Sequence, residues 1–236
     1  MKYLHENGCP WGERVCGAAA GRGHLECLKY LHENGCPWGE ETCAAAAGGC
    51  PWRCPWTEGT CEDMALGTAE GGRLQCLKYL RENGCPWDER WCYNAALYGH
   101  LKCLKYAHEN GCPWDENAWR AAAKGGHLEC MKYLHENGCP WDESACAAAA
   151  FWGHLECLKY LHENECPWNK RTCEAAASGG RLECLKYAHE NGCPWDEETC
   201  AAAAEGDYLD AAADEGDHLD PEAAFVRYLE CLKYAH

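Results

Sequence analysis

Apolar residues recur at helical spacing along much of the chain, and the stretch that opens at His127 shows the pattern clearly. Its less polar positions fall at i, i+3 and i+4, which predicts an amphipathic helix with one face on a core. Charged residues occupy the positions between them, and we expect these to face water. The stripe comprises Leu128, Cys130, Met131, Leu134 and His135, and the charged face comprises Glu129, Lys132 and Glu136.

A second helix of different character follows in the same stretch. Asn137 and Gly138 supply a left-handed C-terminal cap, and Pro140 cannot continue a helix. Asp142 can cap the helix that begins next, and the following run from Cys146 to Ala150 is small on every side. Because small side chains let helices approach closely, we expect this alanine-rich helix on the crowded side of a stack.

The same pair of helices repeats along the chain. Successive repeats open at His100, His127, His154 and Arg181, which are 27 residues apart. One helix pair cannot bury its apolar stripe, whereas stacked neighbours can. The repeat therefore predicts an all-α fold, an α-solenoid of stacked helix-turn-helix repeats. Each repeat carries a Cys-Pro-Trp loop, and these loops begin at Cys9, Cys36, Cys85, Cys112, Cys139, Cys166 and Cys193.

Two interruptions of the 27-residue repeat define the expected domain organisation. We expect a repeat array over residues 1–204 with an irregular junction at 50–72, a degenerate acidic segment at 205–226, and the start of a further repeat at 227–236. The first and last residues both fall inside a repeated phrase. Since repeat arrays need polar caps, we expect uncapped repeat ends through which chains self-associate.

The phrase from Gly126 to Cys139, GHLECMKYLHENGC, resembles the second helix of an ankyrin repeat, G-H-x-x-V-V-x-x-L-L-x-x-G-A. The run from Ala149 to Gly153 is similar to the end of the ankyrin first helix. Two features depart from that family: Ser144 to Ala147 replace the T-P-L-H tetrapeptide, and the repeat is shorter than the usual length of about 33 residues. The resemblance to a divergent, short ankyrin-repeat protein implies shortened loops, protein binding and no catalysis.

Composition and charge narrow the function classes further. The chain has 236 residues and a formal net charge of -17, which disfavours a nucleic-acid partner. It has neither an apolar run long enough for a membrane span nor an apolar leader after Met1, so we expect no membrane partner and a cytoplasmic, reducing location. No phosphate-binding loop, nucleophile elbow or dinucleotide fingerprint occurs, and we expect neither enzyme activity nor a cofactor.

The 23 cysteines fall mainly into three columns of the repeat, one on each helix and one in the loop. Two interpretations are open: buried core filler, or a thiol-rich protein that binds Zn or Cu(I) or buffers redox state. Trp119 in the alanine-rich-helix column favours packing, because an indole cannot replace a metal ligand. Arg likewise replaces His in two repeated positions, which predicts hydrogen-bonding rather than ligating roles. The best local metal candidate is Cys43, Cys50, Cys54 and Cys61 at the irregular junction.

Positions that differ between repeats indicate where a partner binds. They cluster on the alanine-rich helix and its flanks, which in ankyrin-like stacks lines the concave binding face. We expect a protein scaffold whose partner is acidic or aromatic-rich; the alternative is that the bulky residues fill gaps between alanines. The repeated loop Trp, by contrast, is expected to pack between repeats. The candidate partner-binding residues are Arg90, Trp91, Tyr93, Asn94, Tyr98, Asn117, Arg120, Lys124, Phe151 and Trp152.

Overall fold

The computed structural model describes residues 2–48, 73–85, 88–205, 227 and 229–234. All regular secondary structure within these ranges is helical, which confirms the all-α prediction. The chain divides into two compact units, Met1–Trp114 and Asp115–His236. Among the described residues, no helix is both long and apolar enough to cross a membrane.

The helices follow one another in pairs, and nearly all of the complete ones span nine residues. In the N-terminal unit they are α1 (Lys2–Glu6), α2 (Glu13–Gly21), α3 (Leu25–Glu33), α4 (Glu40–Gly48), α5 (73–82), α6 (Glu89–Leu97) and α7 (Leu101–Glu109). In the C-terminal unit they are α8 (Glu116–Lys124), α9 (Leu128–Glu136), α10 (Glu143–Trp152), α11 (Leu155–Glu163), α12 (Lys170–Ser178), α13 (Leu182–Glu190), α14 (Glu197–Glu205) and α15 (229–234).

The caps that end and begin these helices are those that the sequence predicts. Gly138 has a φ of +70° after α9, and the backbone N–H of Cys139 donates to the Leu134 carbonyl at 3.0 Å. Asp142 then caps α10, because its Oδ1 accepts the backbone N–H of Ser144 at 2.9 Å. Six residues therefore connect the two helices, which confirms the expected short loop.

The alanine-rich helices form the tightly packed layer of each unit. They are α2, α4 and α6 in the N-terminal unit and α8, α10, α12 and α14 in the C-terminal unit, and within each unit they pack directly on one another in that order. Five of them, α2, α6, α8, α10 and α12, also pack on the amphipathic helix that follows, such as α9 after α8. This arrangement confirms the prediction that the alanine-rich helix lies on the crowded side.

The core lies between the two helix layers. Leucine or methionine of the amphipathic helices is fully buried there, as at Leu104, Met131 and Leu134. Each such side chain contributes about 1.5–3 kcal/mol by leaving water. Alanines of the other layer, such as Ala122 and Ala149, are equally inaccessible, so a larger residue at those positions would push the helices apart.

Parts of the expected domain organisation lie outside the described residues. These parts are the irregular junction at 50–72, the acidic segment after Glu205, and residues 228, 235 and 236 that flank the last helix. The boundaries proposed for them stay predictions.

Candidate functional site

The three cysteine columns are mostly buried, and the loop thiols have a specific role in packing. The Sγ of Cys139 donates to the Asp115 carbonyl at 3.3 Å, and Cys166 and Cys193 make the same contact with Asp142 and Asn169 at 3.4 and 3.2 Å. Each acceptor is the N-cap residue of the alanine-rich helix in the preceding repeat. The loop thiol therefore satisfies a backbone carbonyl while it fills the core.

Burial also keeps the cysteines of the amphipathic helices protonated at neutral pH. It raises the pKa of Cys76 and Cys184 to about 12 and that of Cys157 to about 11, because the thiolate loses its hydration there. Since metals bind the thiolate, these positions are poorly suited to ligation.

No group of three or more His, Cys, Asp or Glu side chains able to hold a metal is found among the described residues. Of the metal candidate at the junction, Cys50, Cys54 and Cys61 lie outside those residues, and the side chain of Cys43 is not described either. That candidate stays an untested prediction.

The repeated His and Trp residues link neighbouring repeats. In the repeat that opens at His127, the ring of His135 packs on Trp141 with centroids 4.7 Å apart. Its Nδ1 is hydrogen-bonded at 3.0 Å to the hydroxyl of Tyr160, which belongs to the next repeat. The same set recurs at His162, Trp168 and Tyr187, where the Trp168 ring also contacts the Tyr187 ring of the next repeat with centroids 6.3 Å apart. These contacts confirm the inter-repeat packing role expected for the loop Trp and the hydrogen-bonding role expected for this His column.

The residue that opens each amphipathic helix also hydrogen-bonds between repeats. The Nε2–H of His154 donates to the Lys124 carbonyl at 2.9 Å, and the Nε–H of Arg181 donates to the Phe151 carbonyl at 3.2 Å. Lys124 is the last residue of α8 and Phe151 the penultimate residue of α10, so each acceptor belongs to the alanine-rich helix two repeats earlier. Because an imidazole and a guanidinium can each place an N–H there, Arg replaces His without loss of the contact.

The candidate partner-binding residues of the N-terminal unit differ in exposure, and one of them is wrong. Trp91 is 0% exposed in the core between helices, so it fills space in the alanine-rich layer and cannot contact a partner. The guanidinium of Arg90 is paired with its own N-cap residue Asp88 at 2.6 Å. Asn94 donates to the Ala44 carbonyl at 3.5 Å, Tyr93 is half-buried, and Tyr98 is 48% exposed.

In the C-terminal unit, three of the candidate residues line one open groove of about 520 Å³. Arg120 from α8 and Phe151 and Trp152 from α10 form part of its wall. Alanines of α10, α12 and α14 form its floor, since small side chains there leave space above the helices. The remaining lining residues, which the sequence analysis missed, are Glu143, Ser144, Ala147, Ala148, Arg171, Glu174, Ala175, Ser178 and Ala202.

The repeat pattern could have identified some of the lining residues that the sequence analysis missed. Arg171 lies 81 residues after Arg90 and 81 is three times the period of 27, so both occupy one column of the repeat. Ser178 lies in the column of Lys124 and Phe151 in the same way. Extending the variable columns by one more repeat would have found them.

The groove is lined by charges of both signs, two arginines and two glutamates, Glu143 and Glu174. Arg120 and Arg171 are exposed, and neither guanidinium has an ion-pair partner among the described residues. The Glu174 carboxylate, by contrast, is 3.5 Å from the ammonium of Lys170. Beside the groove, the ammonium of Lys124 lies 4.7 Å from the centre of the Trp152 ring, a cation–π contact that holds the indole in place.

Asn117, the remaining candidate in this unit, makes a local contact. Its side-chain amide donates to the Asp115 carboxylate at 2.8 Å, beside the N-terminus of α8. It is half-buried and does not line the groove. The structure thus brings together Arg120, Phe151 and Trp152, with Lys124 next to them.

Comparisons with known proteins agree with this architecture. A family model described as ankyrin repeats, in three copies, matches residues 92–172. The human ASB11 ankyrin repeat domain, a crystal structure, is similar with a TM-score of 0.55 and 19% sequence identity, over 90% of this chain and 96% of that one. At that identity the similarity shows the fold.

A second solved structure, the pentatricopeptide repeat protein PPR10 from maize, aligns with a TM-score of 0.39 and 12% identity, over 98% of this chain and 43% of that one. A score of that size does not indicate a shared fold. No curated protein sequence matches the chain significantly.

Proposed function

Since the chain is an ankyrin-repeat-like protein, we propose that it is a protein-interaction scaffold and that the groove of the C-terminal unit holds a segment of its partner. The observation that carries this proposal is the pair of exposed guanidinium groups, Arg120 and Arg171, at an aromatic-walled groove. Ankyrin repeats are generally protein-interaction modules, and the repeats around this groove include those that match the family model.

The chemistry of the groove defines the kind of segment that fits. A guanidinium binds a carboxylate through two parallel N–H···O bonds, so the rim favours Asp or Glu. Phe151 and Trp152 offer half-buried aromatic surface for an apolar side chain, and aromatic and Arg residues dominate binding energy at interfaces. The expected occupant is therefore an extended acidic segment that carries an aromatic or aliphatic residue.

The size of the groove agrees with an occupant of this kind. Its volume of about 520 Å³ lies in the range of about 300–1,000 Å³ that is typical of pockets for small ligands or a few side chains. A linear segment that inserts one or two side chains uses such a volume, whereas a flat contact between two folded domains does not need it.

The proposal is tested by selecting peptides that bind the full-length protein from a displayed library of random sequences. The affinity of the selected peptides is then measured by fluorescence anisotropy. We expect the selected peptides to be enriched in Asp or Glu next to an aromatic or aliphatic residue. The double variant Arg120→Glu with Arg171→Glu should lower their affinity about tenfold or more, because each carboxylate then meets a like charge.

The chain contains a matched control for this charge reversal. Arg14 is exposed and occupies the same column of the repeat as Arg171, but it lies in the N-terminal unit. Arg14→Glu changes the net charge by the same amount per residue and should leave the affinity unchanged. Equal binding to the double variant and to the wild type would refute the groove as the binding site.

A further inference from the structure

Pairs of cysteines from neighbouring repeats lie in direct contact. The Sγ atoms of Cys16 in α2 and Cys36 in the following loop are 3.1 Å apart. Cys146 and Cys166, and Cys173 and Cys193, occupy the same two positions of the repeat, and the Sγ of Cys173 lies 4.0 Å from the carbonyl oxygen of Cys193. In each pair an alanine-rich-helix cysteine of one repeat meets the loop cysteine of the next, 20 residues later in the sequence.

The two sulfurs of a pair have different chemical roles. In the first pair the thiol of Cys16 donates to the sulfur of Cys36, whose own S–H points to the Gly12 carbonyl at 3.5 Å. The same order holds at Cys173 and Cys193: accepting this hydrogen bond lowers the pKa of the Cys193 thiol, while donating it raises that of Cys173. In the Cys173–Cys193 pair the loop sulfur is therefore the better nucleophile, and Cys36 holds the same accepting position in its pair.

Two thiols alone do not make a structural zinc site, because zinc takes four ligands, and no group of three or more ligands is found among the described residues. They do have the geometry for a covalent bond. Closing the Cys16–Cys36 contact from 3.1 Å to a bonded distance of about 2.05 Å needs a shift of about 1 Å. Another cysteine of the loop column, Cys85, is disulfide-bonded in the structure.

We propose that the pairs Cys16–Cys36, Cys146–Cys166 and Cys173–Cys193 are sites of reversible disulfide formation that join neighbouring repeats, with a small-molecule disulfide such as oxidised glutathione as oxidant. The loop thiolate attacks one sulfur of the oxidant, releases one glutathione thiolate and forms a mixed disulfide. The helix thiol then loses its proton and attacks the loop sulfur, which releases the second glutathione. Two protein thiols become one disulfide, and the oxidant's disulfide becomes two thiols.

One repeat of the chain lacks this pair and provides an internal control. At the corresponding position Trp119 replaces the helix cysteine, and its Nε1–H donates to the backbone carbonyl of Cys139 at 3.0 Å. Cys139 is as buried as the other loop cysteines and donates to its N-cap carbonyl in the same way. It differs from them only in having no thiol opposite it, so it should stay reduced while the pairs oxidise.

The experiment starts from the full chain after complete reduction and removal of the reductant. The protein is incubated with oxidised glutathione, free thiols are blocked by alkylation, and the disulfides are mapped by mass spectrometry of the peptides. We expect the three named disulfides, each with a loss of two hydrogens, while Cys139 is recovered alkylated. Dithiothreitol should restore all of the free thiols.

Two variants distinguish specific pairing from general oxidation. Cys173→Ala should abolish the disulfide at Cys193 and leave the other two in place. The control Cys184→Ala removes a buried cysteine of the amphipathic helix and should leave all three bonds unchanged. Cys92 and Cys112 have the same positions and spacing, so a disulfide between them is compatible with the proposal. Oxidation of Cys139 at the rate of the paired cysteines, or disulfides that join any other partners, would overturn the proposal.

Thermal unfolding gives a readout that does not depend on peptide mapping. Each disulfide closes a loop of about 20 residues in the unfolded chain, so oxidation should raise the unfolding midpoint by about 6 °C or more. An oxidised protein that carries the bonds but unfolds at the same or a lower temperature would show that the bonds form only by distorting the native repeats. The proposal would then be wrong.

Discussion

Glu165 adopts a backbone conformation that glycine adopts at the same position of the other described repeats. Its φ is 64°, in the left-handed region, where the Cβ of an ordinary residue crowds the backbone. The glycines of this column have the same conformation: Gly8, Gly35, Gly84, Gly111, Gly138 and Gly192. The tight loop between the helices imposes this conformation whichever residue occupies the position.

Replacing Glu165 by glycine should therefore stabilise the protein. We expect Glu165→Gly to raise the free energy of unfolding by about 0.5–1 kcal/mol, because relief of the left-handed strain exceeds the extra flexibility of glycine in the unfolded chain. Urea denaturation measures the change. The reciprocal variant Gly138→Glu, at a site with no atom within 4 Å of the new Cβ, should lower stability by a similar amount. Destabilisation by Glu165→Gly would contradict this argument.

At the scale of helices, neighbouring repeats are joined by side chains that reach across from one amphipathic helix to the next. The His135–Tyr160 hydrogen bond is one of a series, and the aromatic rings around it are in contact as well. These residues are only partly buried. Their effect on the free energy of unfolding is therefore best measured as a coupling between the two side chains. The loss of stability on removing either side chain alone is less informative.

A double-mutant cycle with His135→Ala and Tyr160→Phe should give a coupling free energy of about 0.5–1.5 kcal/mol, the net value of one hydrogen bond in a protein. Urea denaturation of the wild type, the two single variants and the double variant supplies the four values. His135→Ala combined with Tyr187→Phe, which lies one repeat further on, is the control and should be additive. Equal coupling in both cycles would show that the effect is not the direct contact.

At the scale of the whole molecule, many thiols are removed from water together. Burial raises the pKa of Cys139 to about 12 and that of Cys231 to about 11, from an ordinary value of 9.0. The same holds for the amphipathic-helix thiols described above. A group whose pKa is raised by folding stabilises the native state below its unfolded pKa, and that stability is lost as the pH rises above it.

The protein should therefore lose stability between pH 8.5 and 10, where unfolded thiols ionise but the buried ones do not. Each such thiol contributes a slope that approaches about 1.4 kcal/mol per pH unit above pH 9. Urea denaturation in the presence of a phosphine reductant measures this slope. Cys157→Ala should reduce it by the share of one thiol, whereas substitution of the exposed Cys9 should not change it. A stability that is flat over this range would refute the argument.

The sequence by itself determined the helices, their period and their stacking. The signals that set helix boundaries act within a few residues: helical periodicity, Asp or Asn at the N-cap, and glycine at the C-cap. The boundaries of α9 and α10 could therefore be predicted from residues Gly126 to Gly153 alone. The packing role of the buried cysteines was also foreseeable, since comparing copies within one chain shows that Trp119 can replace Cys at a core position.

Only the tertiary structure decided which of the variable residues face solvent and which side chains meet. Trp91 and Phe151 both interrupt an alanine-rich helix, yet Trp91 is buried and Phe151 lines a groove. That difference depends on the volume left by neighbouring helices, which no local pattern encodes. The groove itself gathers residues of α8, α10, α12 and α14, and the thiol pairs join different repeats, so both arise from packing between repeats rather than from the order of residues within one.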